Sequence, residues 1–591
     1  MSVPRPGNGG VPNPSGRVAF RLGLTVGPAV PLLCVAVFTS NSAIESTLLG
    51  SSTGALSWGP SLFRGLLAAH AVVLAAAGFA WAGRPRKPGS AVVPVAGRGD
   101  WWPWLILAGL SVVALALRLW ALGTCLWFDE VLTLVDFVRA PLGEIVARFP
   151  SQNQHMLFSL LAHGSVAAFG ENSWALRLPS VAFGVASLWA LFLLGRRLLG
   201  VREALLACTL MTVSYHHVWF SHNARGYMGL LFFATLATWL WLEALSRRAW
   251  AWHLAYALTV ALGMWIHMTL VFVPLVHALL YAAQLAAQLW SDRTSGARRA
   301  LADAVRPLSA LALAASLTLQ LYALSLPEFL RTGLHEVSLE SEWTNPLWVI
   351  SESLRSLQIG FGALAVVLCG MLVAGAGWLS LARRSWIAAA ALVLPPVLGG
   401  AVMLVLGHNL WPRFFFFAMG FAVLIAVHGA MTVPRLLLAP FPSLAAAAGT
   451  GAVLLMIAAS AYTLPRAYAL PKQDFTGARD YVEGALRDGD AVVGVGLAGV
   501  AYSRYFAPRW AMVDSADELK GILRSHPHVW LVYTLPVELK AYHPQVWEVV
   551  DREFEVVKVF PGTLGGGQVT VCRGRSADDL AQDERSGHGL R

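Results

Sequence analysis

Charged residues are scarce in this sequence. Asp, Glu, Lys and Arg make up 13% of the 591 residues, whereas soluble domains carry about 25%. Hydrophobic residues make up 57%, and the mean hydropathy is +0.60. This composition excludes an ordinary soluble protein and predicts a polytopic α-helical membrane protein.

Cysteine is scarce as well. The five cysteines stand singly, and no C-x-x-C spacing occurs, so neither a disulfide framework nor a cysteine metal site is predicted. The net charge of +10 would fit nucleic-acid binding. However, the Arg residues stand mostly in short loops between apolar runs, which is the pattern of membrane topology. We therefore expect no nucleic-acid partner.

Long apolar runs are abundant. About 13 of them are long enough to cross a bilayer, since a hydrocarbon core of about 30 Å requires about 20 residues per helix. They lie near 19–39, 62–82, 103–123, 175–195, 203–220, 226–245, 252–267, 269–289, 307–326, 358–381, 386–407, 413–433 and 442–463. The sequence therefore predicts about 13 transmembrane helices.

The basic clusters between these runs set the expected topology. They lie at 84–87, 196–202, 247–248, 293–299, 383–384 and 435. A cytoplasmic N-terminus places every cluster on the cytoplasmic side. The apolar run at 155–169 is then expected to form an interfacial or re-entrant helix, because one more crossing would move the cluster at 196–202 outside.

The C-terminal part has a different pattern. Residues 471–575 alternate amphipathic helices (475–487, 516–525, 537–554) with short apolar strands (491–495, 529–533, 556–560, 568–572), which is typical of a small α/β domain. We expect a disordered cytoplasmic tail at 1–18, a transmembrane region at 19–465 with an outer loop at 124–174, an extracytoplasmic α/β domain at 466–575 and a disordered tail at 576–591. Asp474 is expected to cap the first helix of this domain, and no catalytic residue is assigned to it.

Two adjacent carboxylates, Asp129 and Glu130, follow directly on an apolar run. The topology places them on the outer side, and acidic residues beside hydrocarbon usually mark function. Other polar residues stand at the same outer ends of apolar runs: Gln154, His155, Arg177, His222, Arg225, His267, His408 and Arg413. Each also fits a simpler role, because long cations anchor helices at the interface and single histidines are often satisfied by neighbours. Their accumulation on one face favours a site.

Carboxylates and cations beside a lipid-flanked cleft fit the transfer of a sugar from a polyprenyl-phosphate donor. Nucleotide sugars are not available on the outer face, so the donor must be lipid-linked. One carboxylate would deprotonate the acceptor, and Arg, His or a metal would stabilise the leaving phosphate. Asp129 and Glu130 are also candidate ligands of a divalent metal, although no H-x-x-x-H or E-x-x-H spacing accompanies them. No cofactor is assigned.

The order of several motifs resembles the GT-C membrane glycosyltransferases. It is most similar to the branch that contains protein O-mannosyltransferases and lipid A aminoarabinose transferases. The motifs are Phe128-Asp129-Glu130, Asn153-Gln154-His155-Met156-Leu157, the run 169–180 with Arg177, the run 195–200, Ser221-His222-Asn223-Ala224-Arg225-Gly226-Tyr227 and Pro412-Arg413-Phe414. The likeness is best over 103–230 and thinner as far as 465.

This resemblance implies a GT-C-like fold and an inverting transferase with a polyprenyl-phosphate sugar donor. If the roles known in the family apply to the matching positions of this sequence, Asp129 is the candidate base and Glu130 its partner. The candidates for binding carrier phosphate or sugar are His155, Arg177, His222, Arg225, Tyr227, His408 and Arg413. The sequence also departs from the family: two extra apolar runs precede the acidic loop, Met156 stands where proline is common, and Gly226 replaces a larger residue.

Two other classes remain open at this point. A lipid or solute transporter or flippase of the cell envelope would also have many spans and buried charges, but transporters bind near the bilayer midplane and often contain inverted repeats. A scaffold for envelope assembly would leave the polar cluster unexplained. The preferred interpretation is a glycosyltransferase in the inner (plasma) membrane of a bacterium. Its N-terminus would be cytoplasmic, its C-terminal domain periplasmic or extracellular, and its acceptor a protein, lipid or polysaccharide.

Overall fold

The computed structural model describes residues 14–82, 100–247, 249–291, 297–332, 345–361 and 364–575. The first helix begins at Pro14, so it already includes the end of the segment predicted as an N-terminal tail. Residues 1–13 and the predicted tail at 576–591 lie outside the described residues, as do the basic residues at 84–87, 248 and 293.

Helices dominate the described residues. The first group is α1 (Pro14–Phe38), α2 (Asn41–Leu49), α3 (Gly59–Ala82), α4 (Trp102–Leu119), α5 (Phe128–Leu132), α6 (Leu142–Ala147), α7 (Met156–Phe169), α8 (Ser173–Leu198), α9 (Val201–Thr212) and α10 (Tyr215–Ser221). The second is α11 (Tyr227–Ser246), α12 (Trp250–Ile266), α13 (Phe272–Ser291), α14 (Ala297–Tyr322), α15 (Leu326–Thr332), α16 (Pro346–Phe361), α17 (Leu364–Arg384), α18 (Trp386–Val405), α19 (Met419–Leu437) and α20 (Pro442–Thr463). The C-terminal group is α21 (Arg466–Ala469), α22 (Phe475–Ala485), α23 (Gly496–Ala501), α24 (Ala516–Ser525), α25 (Pro536–Tyr542) and α26 (Pro544–Glu553).

The polytopic membrane architecture is confirmed. Within the described part of the chain, 10 helices are long and apolar enough to cross a membrane, or 11 if the bent pair α1 and α2 forms one span. The number is lower than the 13 predicted because two predicted spans are short. The run 203–220 is divided between α9 and α10, and the run 252–267 forms a 17-residue helix, α12. The run 155–169 forms the 14-residue α7, about 21 Å long, which is shorter than the hydrocarbon core of about 30 Å.

The break between α9 and α10 is stabilised by a buried arginine. The Arg118 side chain, on α4, is fully buried. Its guanidinium donates to the carbonyls of Met211 (3.3 Å) and Thr212 (3.2 Å), at the end of α9. It also lies 2.6 Å from Nδ1 of His217, on α10. Carbonyls freed at a helix end need such partners, because lipid offers none. Hydropathy alone could not predict this break.

The chain divides into two compact units, and the first comprises the described parts of 1–101, 141–151 and 316–334. In it α3 packs along α1, and α2 packs on α6. The backbones of α2 and α6 meet closely, because a Cβ at Gly143 would lie 2.0 Å from the carbonyl oxygen of Leu48. Arg148 binds Glu328 with two N–H groups, at 3.0 and 2.9 Å. Residues 141–151 of the predicted outer loop therefore belong with the N-terminal helices.

The second unit comprises the described parts of 102–140, 152–315 and 335–591. Its centre is formed by α8, α11 and α19: α8 packs on α4, α7, α9 and α11, and α19 packs on α9, α17 and α20. The side chains between these helices are apolar and buried, as at Leu191, Phe192 and Phe421. The C-terminal α/β region is part of the same unit.

The C-terminal region contains a five-stranded sheet with the order β2-β1-β3-β5-β4. The strands are β1 (Ala491–Val495), β2 (Ala511–Val513), β3 (Val529–Thr534), β4 (Phe554–Phe560) and β5 (Val569–Gly574). The first three are parallel, and β5 is antiparallel to β3 and β4. This confirms the predicted small α/β region, with the short edge strand β2 added. Asp474 caps α22 as predicted, because its side chain accepts from the amide of Gly477 at 2.9 Å.

The expectation that no glycine motif opens a helix directly after a strand is wrong, because one lies between β1 and α23. Gly494, Gly496 and Gly499 have the G-x-G-x-x-G spacing used by dinucleotide-binding folds. A Cβ at Gly494 would lie 2.7 Å from Cα of Gly499, so these two glycines allow α23 to pack closely on β1. The backbone at Gly496 is covered by Leu539 and Glu538 of α25, whose nearest atoms lie 3.0 and 3.5 Å from a Cβ built there. The glycines therefore serve packing, and we assign no nucleotide site to them.

Candidate active site

The acidic pair lies on α5, a helix of five residues. Its first turn is stabilised by hydrogen bonds within the turn and with two distant residues, Gln473 and Asn223. The backbone amide of Trp127 donates to Oε2 of Glu130 at 3.2 Å, and that of Glu130 donates to the carbonyl of Trp127 at 3.0 Å. The amide of Phe128 donates to Oε1 of Gln473 at 2.9 Å. The indole N–H of Trp127 donates to Oδ1 of Asn223 at 3.2 Å. These contacts fix the direction of the adjacent carboxylates.

Glu130 is fully buried against Arg177. Nε and Nη2 of Arg177 donate to its two oxygens at 2.8 and 2.6 Å, and the amide of Ala224 donates to Oε1 at 2.7 Å. Burial opposes ionisation of Glu130, but the charge and hydrogen bonds of Arg177 are strong enough to hold its pKa below the usual value. The remaining Arg177 contacts go to Leu122, Thr124 and Cys125. The structure thus places Arg177 as the partner of Glu130, facing protein on every side, and not as a group directed at a substrate.

Asp129 has a different environment. Its side chain is also buried, yet its Oδ2 accepts no hydrogen bond from the described residues. Two guanidinium groups lie nearby: Nη2 of Arg413 is 3.8 Å and Nη2 of Arg225 is 3.9 Å from this oxygen. These distances are too long for hydrogen bonds. Asp129 is therefore a carboxylate that is attracted by two cations while one oxygen stays available to another group.

Arg225 is held in place from the loop before α7. Its Nη2 donates to Oδ1 of Asn153 at 2.8 Å, and its Nη1 donates to the Asn153 carbonyl at 3.1 Å and to the Thr133 hydroxyl at 3.3 Å. The Thr133 hydroxyl in turn donates to the carbonyl of Asp129 at 2.8 Å. Asn153, Thr133 and Arg225 therefore connect the loops that carry the candidate motifs.

Arg413 is the more accessible of the two cations. Its side chain is 26% exposed, compared with 3% for Arg225. Its guanidinium lies 4.8 Å from the ring centre of Trp411 and 6.0 Å from that of Trp127. The hydroxyl of the buried Tyr227 is next to it. Arg413 is therefore oriented by aromatic groups while its charge faces Asp129.

His155 lies beside this cluster and is oriented by backbone. Its Nδ1 donates to the carbonyl of Ile266 at 3.2 Å, and its ring lies 5.6 Å from Tyr227 and 4.7 Å from His267. Burial and the charge of Arg225 hold its pKa well below the usual value, so the imidazole is neutral. Gly226 is explained by this contact, because a Cβ there would lie 2.5 Å from the Ile266 carbonyl oxygen and 2.6 Å from Nδ1 of His155.

His222 belongs to the supporting structure. Its Nε2 donates to the carbonyl of Arg118 at 2.8 Å, and its own carbonyl accepts a hydrogen bond from the ammonium of Lys472. Burial and the charge of Lys472 lower the pKa of His222 to about 3. Burial also lowers the pKa of Lys472 to about 7, although Glu130 attracts its charge. His222 and Lys472 therefore connect the helices to the C-terminal region.

His408 is not connected to the cluster by a hydrogen bond or ion pair among the described residues. It is partly exposed, and among the described residues it forms neither a hydrogen bond nor an ion pair with Asp129, Arg225 or Arg413. No group of three or more His, Cys, Asp or Glu side chains suited to a metal ion occurs in the described part of the chain. Both oxygens of Glu130 already accept hydrogen bonds, so Asp129 is the carboxylate that could bind a metal here, together with substrate oxygens.

The cluster therefore contains Asp129, Glu130, His155, Arg177, Arg225, Tyr227 and Arg413, supported by His222. The sequence did not indicate Lys472 or Gln473, because their roles depend on contacts between residues far apart in the chain. Asn223 stood in a quoted motif, but only the structure shows that it accepts the indole N–H of Trp127. Asn153 stood in a quoted motif, but only the structure shows that it binds Arg225.

Comparison with known proteins gives one family match. Residues 153–295 match the family described as dolichyl-phosphate-mannose-protein mannosyltransferase. This segment includes His155, Arg177, His222, Arg225 and Tyr227 and excludes Asp129 and Glu130. The comparison with curated proteins gave no match.

Several solved structures are similar to this chain at low sequence identity. ArnT from Cupriavidus metallidurans in the apo state is 13% identical, with a TM-score of 0.43 over 80% of this chain and 97% of that chain. The same protein bound to undecaprenyl phosphate gives a TM-score of 0.41 at 13% identity, over 80% and 98%. The apo oligosaccharyltransferase of Archaeoglobus fulgidus is 12% identical, with a TM-score of 0.47 over 80% and 74%. Similarity at this level does not identify a function.

The family match begins at Asn153 and includes most of the motifs on which the sequence resemblance rests. The likeness expected over 103–230, and more thinly as far as 465, is confirmed over 153–295. This chain, a polytopic helical membrane protein, therefore resembles the GT-C membrane glycosyltransferases of the protein mannosyltransferase branch.

Proposed function

We propose that the protein is an inverting glycosyltransferase that moves a sugar from a polyprenyl-phosphate donor to an acceptor on the outer face of the membrane. One observation carries this proposal: Oδ2 of Asp129 has no hydrogen-bond partner among the described residues and lies 3.8 and 3.9 Å from two guanidinium groups. The match of residues 153–295 to a mannosyltransferase family supplies the reaction class.

The charges of the cluster suit a phosphate leaving group. Glu130 and Arg177 neutralise each other within a buried pair. Asp129 then faces both Arg225 and Arg413, which leaves one net positive charge beside the available carboxylate oxygen. A phosphate ester can bind to the exposed side of Arg413, where charge-assisted hydrogen bonds are strong.

In the proposed reaction Asp129 acts as the base. Its Oδ2 takes the proton of an acceptor hydroxyl or amine as that group attacks the anomeric carbon of the donor sugar. The bond from this carbon to the phosphate oxygen breaks, and its electron pair leaves with the carrier phosphate. Arg413 and Arg225 stabilise the developing charge. A single displacement inverts the anomeric configuration.

The position of the cluster along α8 supports the outer face. Arg177 stands in the second turn of this helix and Arg197 in the last, about 30 Å apart at 1.5 Å per residue. This matches the hydrocarbon thickness of about 30 Å. At the far end, Arg197 and Arg247 both pair with Glu243, at 3.3 and 2.5 Å. Basic residues favour the cytoplasmic side, so we propose that the cluster and the C-terminal region lie outside, in a bacterial inner membrane.

The test uses the full-length protein in lipid nanodiscs with radiolabelled polyprenyl-phosphate sugars and a membrane extract as acceptor. Transfer is expected for the wild type, and a loss of about 10²- to 10⁴-fold is expected for Asp129→Asn, which cannot act as a base. Asp551→Asn, an exposed position on α26, serves as the control and should retain transfer.

Two results would contradict the proposal. Full turnover by Asp129→Asn would remove Asp129 as the base. Absence of transfer from every donor, with carrier phosphate still bound, would favour the transporter or flippase alternative.

A further inference from the structure

The first amide of α5 is satisfied by a residue from the C-terminal region. Phe128 stands at the first helical position, immediately before Asp129, and N–H groups at a helix start have no partner within the helix. Gln473 accepts this N–H at 2.9 Å and is fully buried. The two residues are 345 positions apart in the chain. The start of the helix that carries the candidate base therefore depends on a distant side chain.

Gln473 is itself held by the C-terminal sheet. Its Nε2 donates to the hydroxyl of Thr534 at 3.0 Å, and Thr534 is the last residue of β3. The Thr534 hydroxyl donates onward to the carbonyl of Gln568 at 3.1 Å, just before β5. These bonds fix which end of the Gln473 amide faces α5, because the nitrogen is used by Thr534 and the oxygen remains for Phe128.

The Phe128 side chain packs in the same region. It belongs to a buried cluster with Phe475 of α22, Ala498 and Ala501 of α23 and Trp530 of β3. Next to Gln473, the ammonium of Lys472 donates to the His222 carbonyl, and the Lys472 carbonyl accepts from the amide of Leu564 at 3.1 Å. The Phe128 amide, the Phe128 side chain and the hydrogen bonds of Lys472 therefore all connect the region of α5 to the C-terminal sheet.

We propose that Gln473 is a positioning residue for Asp129. Through Gln473, the C-terminal α/β region contributes to the transferase site. This inference rests on the proposed function. The Gln473 oxygen sets the start of α5, and α5 sets the distances from Asp129 to Arg225 and Arg413. Loss of this bond would leave a buried N–H without a partner, and α5 would shift to satisfy it.

The test compares Gln473→Met, which keeps the side-chain length and loses both hydrogen bonds, with the wild-type full-length protein. The control is Gln545→Met, because Gln545 is exposed on α26. Gln473→Met should lower kcat by about 10- to 100-fold, as expected for a misplaced catalytic group, with the KM for the donor nearly unchanged. Gln545→Met should match the wild type. Gln473→Glu retains an acceptor for the Phe128 amide, so its kcat should be close to that of the wild type.

A second readout does not depend on activity. Hydrogen exchange of the Phe128 amide should be slow in the wild type and in Gln545→Met, and faster in Gln473→Met. Thr534→Val, which removes the anchor of Gln473, should give an intermediate rate. Unchanged exchange in Gln473→Met, or an unchanged kcat in an active enzyme, would overturn the positioning role. If the wild type transfers no sugar while the exchange rates behave as expected, the proposed function fails and the link between α5 and the sheet stands.

Discussion

Glu130 and Arg177 form a two-pronged ion pair with bonds of 2.8 and 2.6 Å, and both side chains are at most 1% exposed. The pair joins α5 to the start of α8, so two elements of the candidate site share one buried contact. Neighbouring backbone groups satisfy the remaining donors and acceptors of the pair. Its main role is therefore to hold the loop that presents Asp129.

Arg177→Met should strongly destabilise the protein, because removal of one partner leaves Glu130 buried without its counter-ion. Breaking a buried pair typically costs about 3–5 kcal/mol. The control is Arg139→Met, since the Arg139–Glu171 pair is of similar length, 2.7 Å, but about 40% exposed. Exposed pairs contribute about 0–1 kcal/mol. Thermal unfolding in detergent should show a large drop in Tm for Arg177→Met only, and equal Tm values would contradict the assignment.

Arg413→Ala should weaken the use of the donor more than it changes folding. Arg413 is the accessible cation of the cluster, and charge-assisted hydrogen bonds contribute about 1.5–3 kcal/mol, which corresponds to about 10- to 150-fold in KM. Arg435→Ala is the control, because Arg435 pairs with Glu203 at 2.9 Å in the last turn of α19, whereas Arg413 stands before the first turn of that helix. Donor titrations in nanodiscs would measure both variants. An unchanged donor KM for Arg413→Ala would indicate that Arg413 only anchors its helix.

Gly226→Ala should lower transfer because the added methyl group has no space. It would lie within 2.6 Å of both the Ile266 carbonyl oxygen and Nδ1 of His155, so the His155 ring and the backbone must shift. The control is Gly164→Ala on α7, where nothing lies within 4 Å of a new Cβ. Activity and Tm should fall for Gly226→Ala and stay level for Gly164→Ala. A fully active Gly226→Ala would show that the position of His155 is not critical.

The sequence named candidate residues but could not distinguish buried ones from accessible ones. Arg177 and Arg413 have the same side chain at the same end of apolar runs, yet one is 1% and the other 26% exposed. This difference arises from tertiary contacts, because Arg177 meets Glu130 only when α8 packs beside the loop. The division of the run 203–220 depends likewise on Arg118, which satisfies the carbonyls at the break. Apolar periodicity contains no information on either contact.

Lys472 predicts a pH dependence of stability. An ordinary lysine has a pKa of 10.5, and burial lowers the pKa of Lys472 to about 7 in the folded protein. Between about pH 7 and 10 the unfolded chain binds a proton at this side chain that the folded chain does not, so this group makes stability rise with pH in that range. Below about pH 7 both states are protonated and its contribution is constant. Lys472→Met lacks this titration. Unfolding measured from pH 6 to 9.5 should therefore show the stability of the wild type increasing relative to Lys472→Met above pH 7, whereas parallel profiles would mean that Lys472 keeps its ordinary pKa when buried against Glu130 and Arg177.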